Sequence, residues 1–207
     1  PNGSGKSTLL GLVGRLYDPD QGRILIDGQD VSEVSMSSLR RQVAYVSTDF
    51  PLIRGSLKKN LCYGAGKVHA TRLNQVISDC GLDNLVDRKI GGLEARIAEA
   101  GSDLSQGERI RVCLARALLR NPAILILDEA EANLDARAIR VMERVIRDFA
   151  GTVLMATHRP SAIGLCDVAW SLNEGRLYVS HLTSSNYDRP IPDADSCWRP
   201  SLVNESK

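Results

Sequence analysis

The sequence predicts an α/β fold, in which helices flank a parallel sheet and an inserted helical region interrupts the core. Three observations indicate this fold. A glycine-rich pattern suited to binding phosphate opens the chain and runs directly into a helical pattern. Residues 123–127 are entirely apolar, as expected for a strand at the centre of a parallel sheet. A helical pattern and a second apolar strand at residues 152–156 follow, which predicts a right-handed parallel crossover.

The first seven residues follow the phosphate-binding pattern GxxxxGK[ST] from its second position onward, and Thr8 comes directly after it. Glycines allow backbone N–H groups to turn toward phosphate oxygens, and the helix that follows adds the positive end of its dipole. We predict that Lys6 binds the β- and γ-phosphates of a nucleotide and that the Ser7 hydroxyl ligates Mg²⁺. The predicted phosphate-binding residues are Asn2, Gly3, Ser4, Gly5, Lys6, Ser7 and Thr8. The alternative is a glycine-rich turn that caps an ordinary helix, which the length of the match disfavours.

The segments between residues 18 and 88 divide into a core part and an inserted part. In the core we expect a turn, a strand, a short helix and a buried strand, at residues 18–22, 23–26, 37–42 and 43–46. From residue 49 onward the pattern changes to short helices joined by glycine-bearing turns, at residues 57–62, 71–80 and 82–88. This change predicts an inserted helical subdomain.

The clearest helix covers residues 105–120, where apolar side chains recur at helical spacing. Its apolar positions are Ile110, Cys113, Leu114, Ala117 and Leu118, and its arginines are Arg109, Arg111, Arg116 and Arg120. The arginines could form a nucleic-acid patch, but the chain carries 26 Lys plus Arg against 25 Asp plus Glu. Because this balance leaves no basic excess, we expect a solvated helix face and no nucleic-acid partner.

The C-terminal third predicts a helix, a strand, a hairpin and a polar tail. We expect the helix at residues 135–150, ended by Gly151, with four side chains facing the core: Ile139, Met142, Ile146 and Phe149. Residues 168–172 and 176–179 predict a terminal hairpin. From His181 the chain is polar, contains three prolines and has no periodicity, which predicts a disordered tail.

Composition disfavours several further classes of protein. The longest clean apolar run, residues 123–127, is far shorter than the roughly 20 residues of a membrane-spanning helix. The 5 cysteines are odd in number and none forms a CxxC pair, so we expect free thiols rather than a zinc site or a disulfide framework. Aromatic residues make up only 4% of the chain, which disfavours stacking on single-stranded nucleic acid.

Two carboxylates directly follow the first apolar strand. Asp128 is positioned to hold Mg²⁺, because ligands bind beyond the carboxyl ends of parallel strands and an aspartate there serves the metal in phosphoryl transfer. Glu129 is positioned to orient and polarise a water for attack on the γ-phosphate. Two exposed acids in a turn are common in isolation, but the phosphate-binding pattern upstream favours the functional interpretation.

The motifs after residue 100 make the chain resemble the ATP-binding domain of ABC transporters. Residues 124–129 match the Walker B strand, in which Glu129 is the catalytic glutamate, and residues 132–135 resemble the D-loop, which includes Asp135. His158 matches the switch histidine that contacts the γ-phosphate. Five residues resemble the LSGGQ signature at the start of a helix: Leu104, Ser105, Gln106, Gly107 and Glu108. No single motif decides the family. These four motifs and the phosphate-binding pattern upstream make five in the family's order and spacing, and together they are highly specific.

The resemblance covers nearly all of residues 1–180 and implies a P-loop NTPase fold, with a RecA-like parallel sheet core and an inserted α-helical subdomain. The core would comprise residues 1–48 and 121–180, the helical subdomain about residues 49–120, and the polar tail residues 181–207. ATP and Mg²⁺ are the implied ligands, with Ser7 and Asp128 binding the metal. A head-to-tail dimer is also implied, in which Ser105 and Gly107 close the ATP held by a second ATP-binding domain.

Shorter matches resemble exporter-type domains, in which the ATPase follows a six-helix transmembrane domain on the same polypeptide. They lie at residues 17–19, 26–28, 39–42 and 55–57, and residues 99–101 occupy the position of an acidic loop that contacts the membrane domain. A motor at the cytoplasmic face of a membrane is therefore implied. Because a phosphate-binding loop follows a buried strand, we also expect a fragment truncated within the Walker A motif, with that strand and an adenine-stacking aromatic residue upstream of Pro1.

Four positions depart from the family pattern. Thr48 replaces the glutamine that ligates Mg²⁺ and senses the membrane domain, so metal geometry and coupling are the properties in question. Gln106 replaces the first signature glycine, Glu108 the final glutamine, and Ala132 the usual D-loop serine. Thr48 favours an alternative, a regulatory half-site that binds ATP and dimerises but barely hydrolyses it, whereas the intact Glu129 and His158 oppose that alternative. A chromosome-maintenance ATPase is disfavoured because the insertion is too short for a long coiled coil.

Overall fold

The computed structural model describes residues 4–173 and 175–181. These residues form two compact units: Ser7–His158, and the described residues before Ser7 together with those after His158. The helices are α1 (Lys6–Val13), α2 (Met36–Gln42), α3 (Leu57–Leu61), α4 (Ala70–Asp79), α5 (Asp83–Arg88), α6 (Gln106–Leu119), α7 (Ala136–Asp148) and α8 (Pro160–Ile163). The strands are β1 (Leu25–Ile26), β2 (Gln29–Asp30), β3 (Val43–Ser47), β4 (Gly55–Ser56), β5 (Arg96–Ile97), β6 (Ile124–Asp128), β7 (Thr152–Ala156), β8 (Val168–Asn173) and β9 (Arg176–His181). Within these described ranges, no helix has the length and apolar character needed to cross a membrane.

A three-stranded parallel sheet lies at the centre of the larger unit, with the strand order β3-β6-β7. Helix α7 connects β6 to β7, which confirms the predicted parallel crossover. The last residues of the three strands lie side by side, because Ser47 pairs with Asp128 and Asp128 pairs with Ala156. The residues that follow each strand therefore leave the sheet at the same edge.

Helices cover both faces of this sheet, because successive side chains of a strand point to opposite sides. Leu125 and Leu127 of β6 are fully buried in a core that also contains residues of α3, α4, α6 and α7. Ile126, between them, packs with Leu10 of α1 and Leu39 of α2. Burying each such side chain is worth about 1.5–3 kcal/mol. The helix–sheet–helix layering confirms the predicted α/β class.

The short helices predicted between residues 57 and 88 are present as α3, α4 and α5, each within one residue of the expected bounds. Leu57, Leu61 and Val76 are fully buried and belong to the same hydrophobic core as β6. The antiparallel pair β4–β5 also lies in this region and was not predicted. Strands of two residues are too short to show a periodic sequence pattern.

The arginines of α6 do not form a solvated face, so that prediction is wrong. Arg111 is only 8% exposed, and its guanidinium donates to the carbonyl oxygens of Gly107 at 3.0 Å and Gly81 at 2.5 Å. Arg116 donates to the backbone oxygen of Asn60 at 2.9 Å. Neighbouring segments cover α6 on several sides, and their carbonyl groups satisfy the guanidinium donors that water was expected to satisfy.

Helix α7 is confirmed, and three of its four predicted core-facing residues, Met142, Ile146 and Phe149, belong to the core or pack against it. The buried residues are Ala138, Val141, Met142 and Val145, whereas Ile139, Ile146 and Phe149 are only partly buried. Gly151 is not a left-handed helix cap, because α7 already ends at Asp148. A Cβ atom at Gly151 would lie 2.2 Å from the carbonyl oxygen of Ala123. The glycine therefore permits a close approach of two backbone segments where β6 and β7 begin.

The smaller unit contains the predicted terminal hairpin. Strands β8 and β9 are antiparallel, with Trp170 opposite Val179. Strand β9 includes His181, which the sequence analysis assigned to the polar tail. The rest of the predicted disordered tail, residues 182–207, lies outside the described residues.

Candidate active site at the carboxyl edge of the sheet

Side chains from three elements meet at the carboxyl edge of the parallel sheet. Ser7 Oγ, in the first turn of α1, donates a hydrogen bond of 2.9 Å to Asp128 Oδ1. The hydroxyl of Tyr45, on β3, donates a hydrogen bond of 2.7 Å to Asp128 Oδ2. Each oxygen of this carboxylate therefore has its own hydroxyl donor.

Asp128 is buried, with 7% of its surface exposed. Removing a carboxylate from water is costly unless hydrogen bonds compensate it, and the two hydroxyl donors supply part of that compensation. The contact with Ser7 joins residues 121 positions apart in the sequence. The fold thus brings together the two side chains predicted to bind Mg²⁺, while their function as ligands stays a prediction.

Tyr45 is a site residue that the sequence analysis does not identify. Its strand lies beside β6 in parallel register, with Tyr45 opposite Ile126, so the ring reaches the strand end where Asp128 lies. Burial, together with the hydrogen bond to Asp128 and the charge of that carboxylate, raises the pKa of Tyr45 far above its usual value. The phenol is therefore protonated at neutral pH and acts as a donor. The one feature of the sequence that could have identified Tyr45 is its phenol hydroxyl, in a strand of mainly aliphatic residues.

Glu129 and His158 form a second pair just beyond the strand ends. The Glu129 backbone is left-handed, with φ of 47°, and its N–H donates to the Ala156 carbonyl at 3.2 Å. Such a conformation costs a residue with a Cβ about 1–3 kcal/mol and persists where the surroundings enforce it. His158 Nε2 lies 3.1 Å from Glu129 Oε1, and the side chains are 46% and 44% exposed respectively. The predicted water-polarising carboxylate and the predicted switch histidine are therefore neighbours.

A further pair in this region was also missed from the sequence. The Thr157 hydroxyl donates a short hydrogen bond to Glu131 Oε1. Thr157 lies directly before His158, and Glu131 lies two residues after Glu129, so this pair links the same two loops. Neither residue belongs to the quoted motifs, which explains why sequence analysis passed over them.

The described part of the phosphate-binding pattern is Ser4, Gly5, Lys6, Ser7 and Thr8, whereas Asn2 and Gly3 lie outside the described residues. Gly5 has a φ of 92°, a conformation that residues with a side chain rarely adopt. Lys6 Nζ donates to Ser4 Oγ at 3.2 Å. The glycine is therefore required by the backbone, as the pattern predicts.

The signature-like residues form the start of α6. Ser105 Oγ accepts from the Glu108 N–H at 3.2 Å, and Glu108 Oε2 accepts from the Ser105 N–H at 2.9 Å, which is a capping box. Glu108 Oε1 also accepts from Arg88 at 2.8 Å. Burial opposes ionisation of Glu108, but the hydrogen bonds from Ser105 and the charge of Arg88 outweigh it and lower the pKa of Glu108. Glu108 therefore caps the start of α6 and pairs with Arg88.

The start of α6 packs against the loop and helix that follow β6. A Cβ atom at Gly107 would lie 3.2 Å from Ala138 Cβ, so this position requires a very small residue. Gln106 Nε2 donates to the Ala132 carbonyl at 3.1 Å. Asp135 caps α7 by accepting from the Ala138 N–H at 2.7 Å, which lowers the pKa of Asp135. Signature-like and D-loop-like residues are therefore in contact within one chain.

Thr48, the third candidate metal ligand, is exposed directly after β3. It lines a cavity of about 260 Å³ between the loop after β3 and the first turns of α6. Other lining residues include Asp49, Phe50, Gln106 and Arg109. The residue level with Asp128 in the sheet is Ser47, one position earlier.

Ser7 and Asp128 fit a Mg²⁺ ion by the chemistry of their donors. Mg²⁺ prefers oxygen ligands and is usually bound by one or two protein side chains together with substrate phosphates and water. A hydroxyl and a carboxylate 2.9 Å apart supply that kind of donor set. Among the residues that the structure describes, no cluster of three or more His, Cys, Asp or Glu side chains forms a metal centre.

Sequence comparison finds many relatives of this chain. The family described as ABC transporter has a sequence model that matches residues 1–132. A heterocyst differentiation ATP-binding protein of Nostoc sp. is 34% identical over 200 residues, which cover 96% of this chain and 32% of that protein. An ATP-dependent lipid A-core flippase of Cupriavidus metallidurans is 37% identical over 182 residues, which cover 86% of this chain and 31% of that protein.

Structure comparison gives a matching result. A bacterial Atm1-family ABC exporter with ATP bound matches with a TM-score of 0.80 and 35% sequence identity, over 86% of this chain and 31% of that one. The chain thus spans about a third of the length of each of these three relatives.

Proposed function

The chain belongs to the ABC transporter family as an ATP-binding domain, and we propose that it is the ATP-hydrolysing motor of a membrane exporter. The observation that carries the proposal is the 2.9 Å contact between Ser7 and Asp128, followed along the chain by the pair of Glu129 and His158. In phosphoryl transfer the protein contributes mainly positioning and electrostatic stabilisation. A hydroxyl, two carboxylates and an imidazole at the ends of neighbouring strands are suited to that task.

Phosphate binding is assigned to the glycine-rich loop, with Lys6 as its cation. Mg²⁺, when bound, would be held by Ser7 and Asp128, with Thr48 as a further candidate, and would neutralise charge on the phosphates. Glu129 orients the attacking water and accepts a hydrogen bond from it. The water oxygen bonds to the γ-phosphorus as the bond from that phosphorus to the leaving oxygen of ADP breaks, and the water proton passes through Glu129 to the released phosphate. His158, 3.1 Å from Glu129, holds that carboxylate in orientation and is positioned to contact the γ-phosphate.

A head-to-tail dimer of two ATP-binding domains completes the proposed mechanism. Ser105 is exposed at the start of α6, where the positive end of the helix dipole favours a phosphate. Ser105 and Gly107 would close on ATP held by the partner domain, while buried Leu104 anchors the turn. The internal contact between Gln106 and Ala132 would link this surface to the loop that follows Glu129.

Export at the cytoplasmic face of a membrane is proposed from the relatives. The similar proteins include a lipid A-core flippase and an Atm1-family exporter. Residues 99–101 form a short 3₁₀ turn in which Ala100 has a φ of 54°. This turn is the proposed contact to a transmembrane domain on the full-length polypeptide.

A regulatory half-site that binds ATP with little turnover is the second candidate, favoured by threonine at position 48. One experiment separates the two functions: ATP affinity and steady-state phosphate release measured on the same full-length protein. A motor requires both binding and turnover that depends on Mg²⁺. Binding without turnover would support the regulatory half-site, and the absence of ATP binding would contradict both.

A further inference from the structure

We propose that Tyr45 is a positioning residue for metal binding, which holds the Asp128 carboxylate so that one of its oxygens faces Ser7. This inference rests on the proposed function, because it assigns Ser7 and Asp128 to Mg²⁺. It adds a residue that none of the sequence motifs contains.

The two oxygens of the Asp128 carboxylate accept hydrogen bonds from different hydroxyl groups. Oδ1 is bonded to Ser7, the other proposed ligand, at 2.9 Å, whereas Oδ2 is bonded to Tyr45 at 2.7 Å. A carboxylate held at one oxygen only can still rotate about its Cβ–Cγ bond. With Oδ2 fixed by a donor from a neighbouring strand, Oδ1 remains directed toward Ser7. When the Ser7 hydroxyl uses its oxygen for the metal, the bond from Tyr45 is the one that continues to orient Asp128.

The ring of Tyr45 is itself held by Phe50. The two rings meet edge to face, with centroids 5.4 Å apart and planes at 79°. Phe50 lies on the loop that lines the 260 Å³ cavity, and its carbonyl accepts a weak hydrogen bond from Cys113 Sγ at 3.8 Å. Tyr45 therefore connects the carboxylate to the loop that carries Thr48. Such outer contacts to a metal ligand commonly change metal affinity by about 10–100-fold when removed.

Tyr45→Phe tests the proposal, because it removes the hydroxyl and keeps the ring against Phe50. The probe is Mn²⁺, followed by electron paramagnetic resonance as it binds to full-length protein saturated with a non-hydrolysable ATP analogue. We expect Tyr45→Phe to weaken Mn²⁺ binding about tenfold. Affinity for the analogue in EDTA should stay within about twofold, and the melting temperature within about 4 °C, of the parent values.

Two further variants sharpen the test. Tyr63→Phe is the matched control, because Tyr63 is exposed and its ring lies against Arg116, and it should leave Mn²⁺ affinity unchanged. Phe50→Leu keeps the Tyr45 hydroxyl but removes the ring contact, and it should weaken Mn²⁺ binding about threefold.

Four results are decisive. Mn²⁺ affinity of Tyr45→Phe equal to the parent's would overturn the proposal. A fall in analogue affinity in EDTA together with a large loss of melting temperature would also overturn it, since the hydroxyl would then support the fold and not the metal. If the parent protein binds the analogue but no Mn²⁺, both the proposal for Tyr45 and the assignment of Ser7 and Asp128 to the metal fail. If the parent protein does not bind the analogue, the proposed function itself is contradicted.

Discussion

Lys6 is the proposed cation of the phosphate-binding loop, so its loss should act on nucleotide affinity. A charge-assisted hydrogen bond of this kind is worth about 1.5–3 kcal/mol. We therefore expect Lys6→Ala to weaken ATP binding about 10- to 150-fold, measured by titration calorimetry on the full-length protein. Lys67→Ala, which removes an exposed lysine in the helical region, is the matched control and should bind like the parent. Equal ATP affinity in the two variants would exclude the phosphate-binding assignment.

Thr48 occupies a position that we predict to affect the metal, and there the chain departs from the pattern of its family. A threonine hydroxyl is shorter than a glutamine carbonyl, so we expect a water to complete the coordination of Mg²⁺ there, held by Asp49. Thr48→Gln should then raise Mg²⁺-dependent turnover or lower the Mg²⁺ concentration that gives half activity. A Mg²⁺ titration checks this. If Thr48→Gln changes neither quantity while Asp49→Ala impairs activity strongly, Thr48 lies outside the metal site.

Among single residues, the sequence predicts those candidate site residues that belong to a recognisable sequence motif. Asp128, Glu129 and His158 could be identified because they follow apolar strands in a recognisable order. Tyr45 could not, because its contact with Asp128 depends on the register between two strands far apart in the chain. The buried Arg111 was misassigned for a similar reason, since its carbonyl acceptors come from the fold and not from neighbouring charges.

At the scale of elements, long periodic segments were predictable and short pairings were not. Helices α6 and α7 and strands β6 and β7 lie within two residues of their expected bounds, because each carries a clear apolar pattern. Of the two-residue strands, β1 lies within the strand predicted at residues 23–26, whereas β2, β4 and β5 were not predicted. The apolar face of α7 is wider than predicted, because Ala138, Val141 and Val145 are buried beside the predicted Met142.

The junction between α7 and β7 yields a prediction about stability. A Cβ atom at Gly151 would lie 2.2 Å from the Ala123 carbonyl oxygen, which also accepts the Thr152 N–H at 2.9 Å. Gly151→Ala would therefore force the starts of β6 and β7 apart. We expect the free energy of unfolding to fall by about 1–3 kcal/mol, measured by chemical denaturation.

Gly164→Ala is the control for this change. The nearest atom to a Cβ at Gly164 is 3.5 Å away, an ordinary contact, and the residue has a φ of −64°. This substitution should leave the free energy of unfolding nearly unchanged. Equal stabilities of the two alanine variants would show that the backbone approach at Gly151 is not a tight constraint.

At the scale of the whole molecule, the proposed motor couples ATP-driven dimerisation to hydrolysis. In the proposed dimer, Glu129 acts on the ATP bound by its own chain. Ser105 contacts the ATP bound by the partner domain. A variant that binds ATP without hydrolysing it should therefore hold two ATP-binding domains together. Glu129→Gln is such a variant, because the amide keeps the shape of the side chain and loses the charge that polarises water.

The most direct test is the rate of phosphate release from ATP by full-length Glu129→Gln protein. Glu33→Gln, which removes an equivalent charge from an exposed position in another part of the fold, is the control. We predict that Glu129→Gln lowers the rate about 10²–10⁴-fold, keeps the parent affinity for ATP and elutes as an ATP-bound dimer in size exclusion, while Glu33→Gln keeps the parent rate. Hydrolysis by Glu129→Gln at the parent rate would contradict the assignment of Glu129 as the residue that activates water.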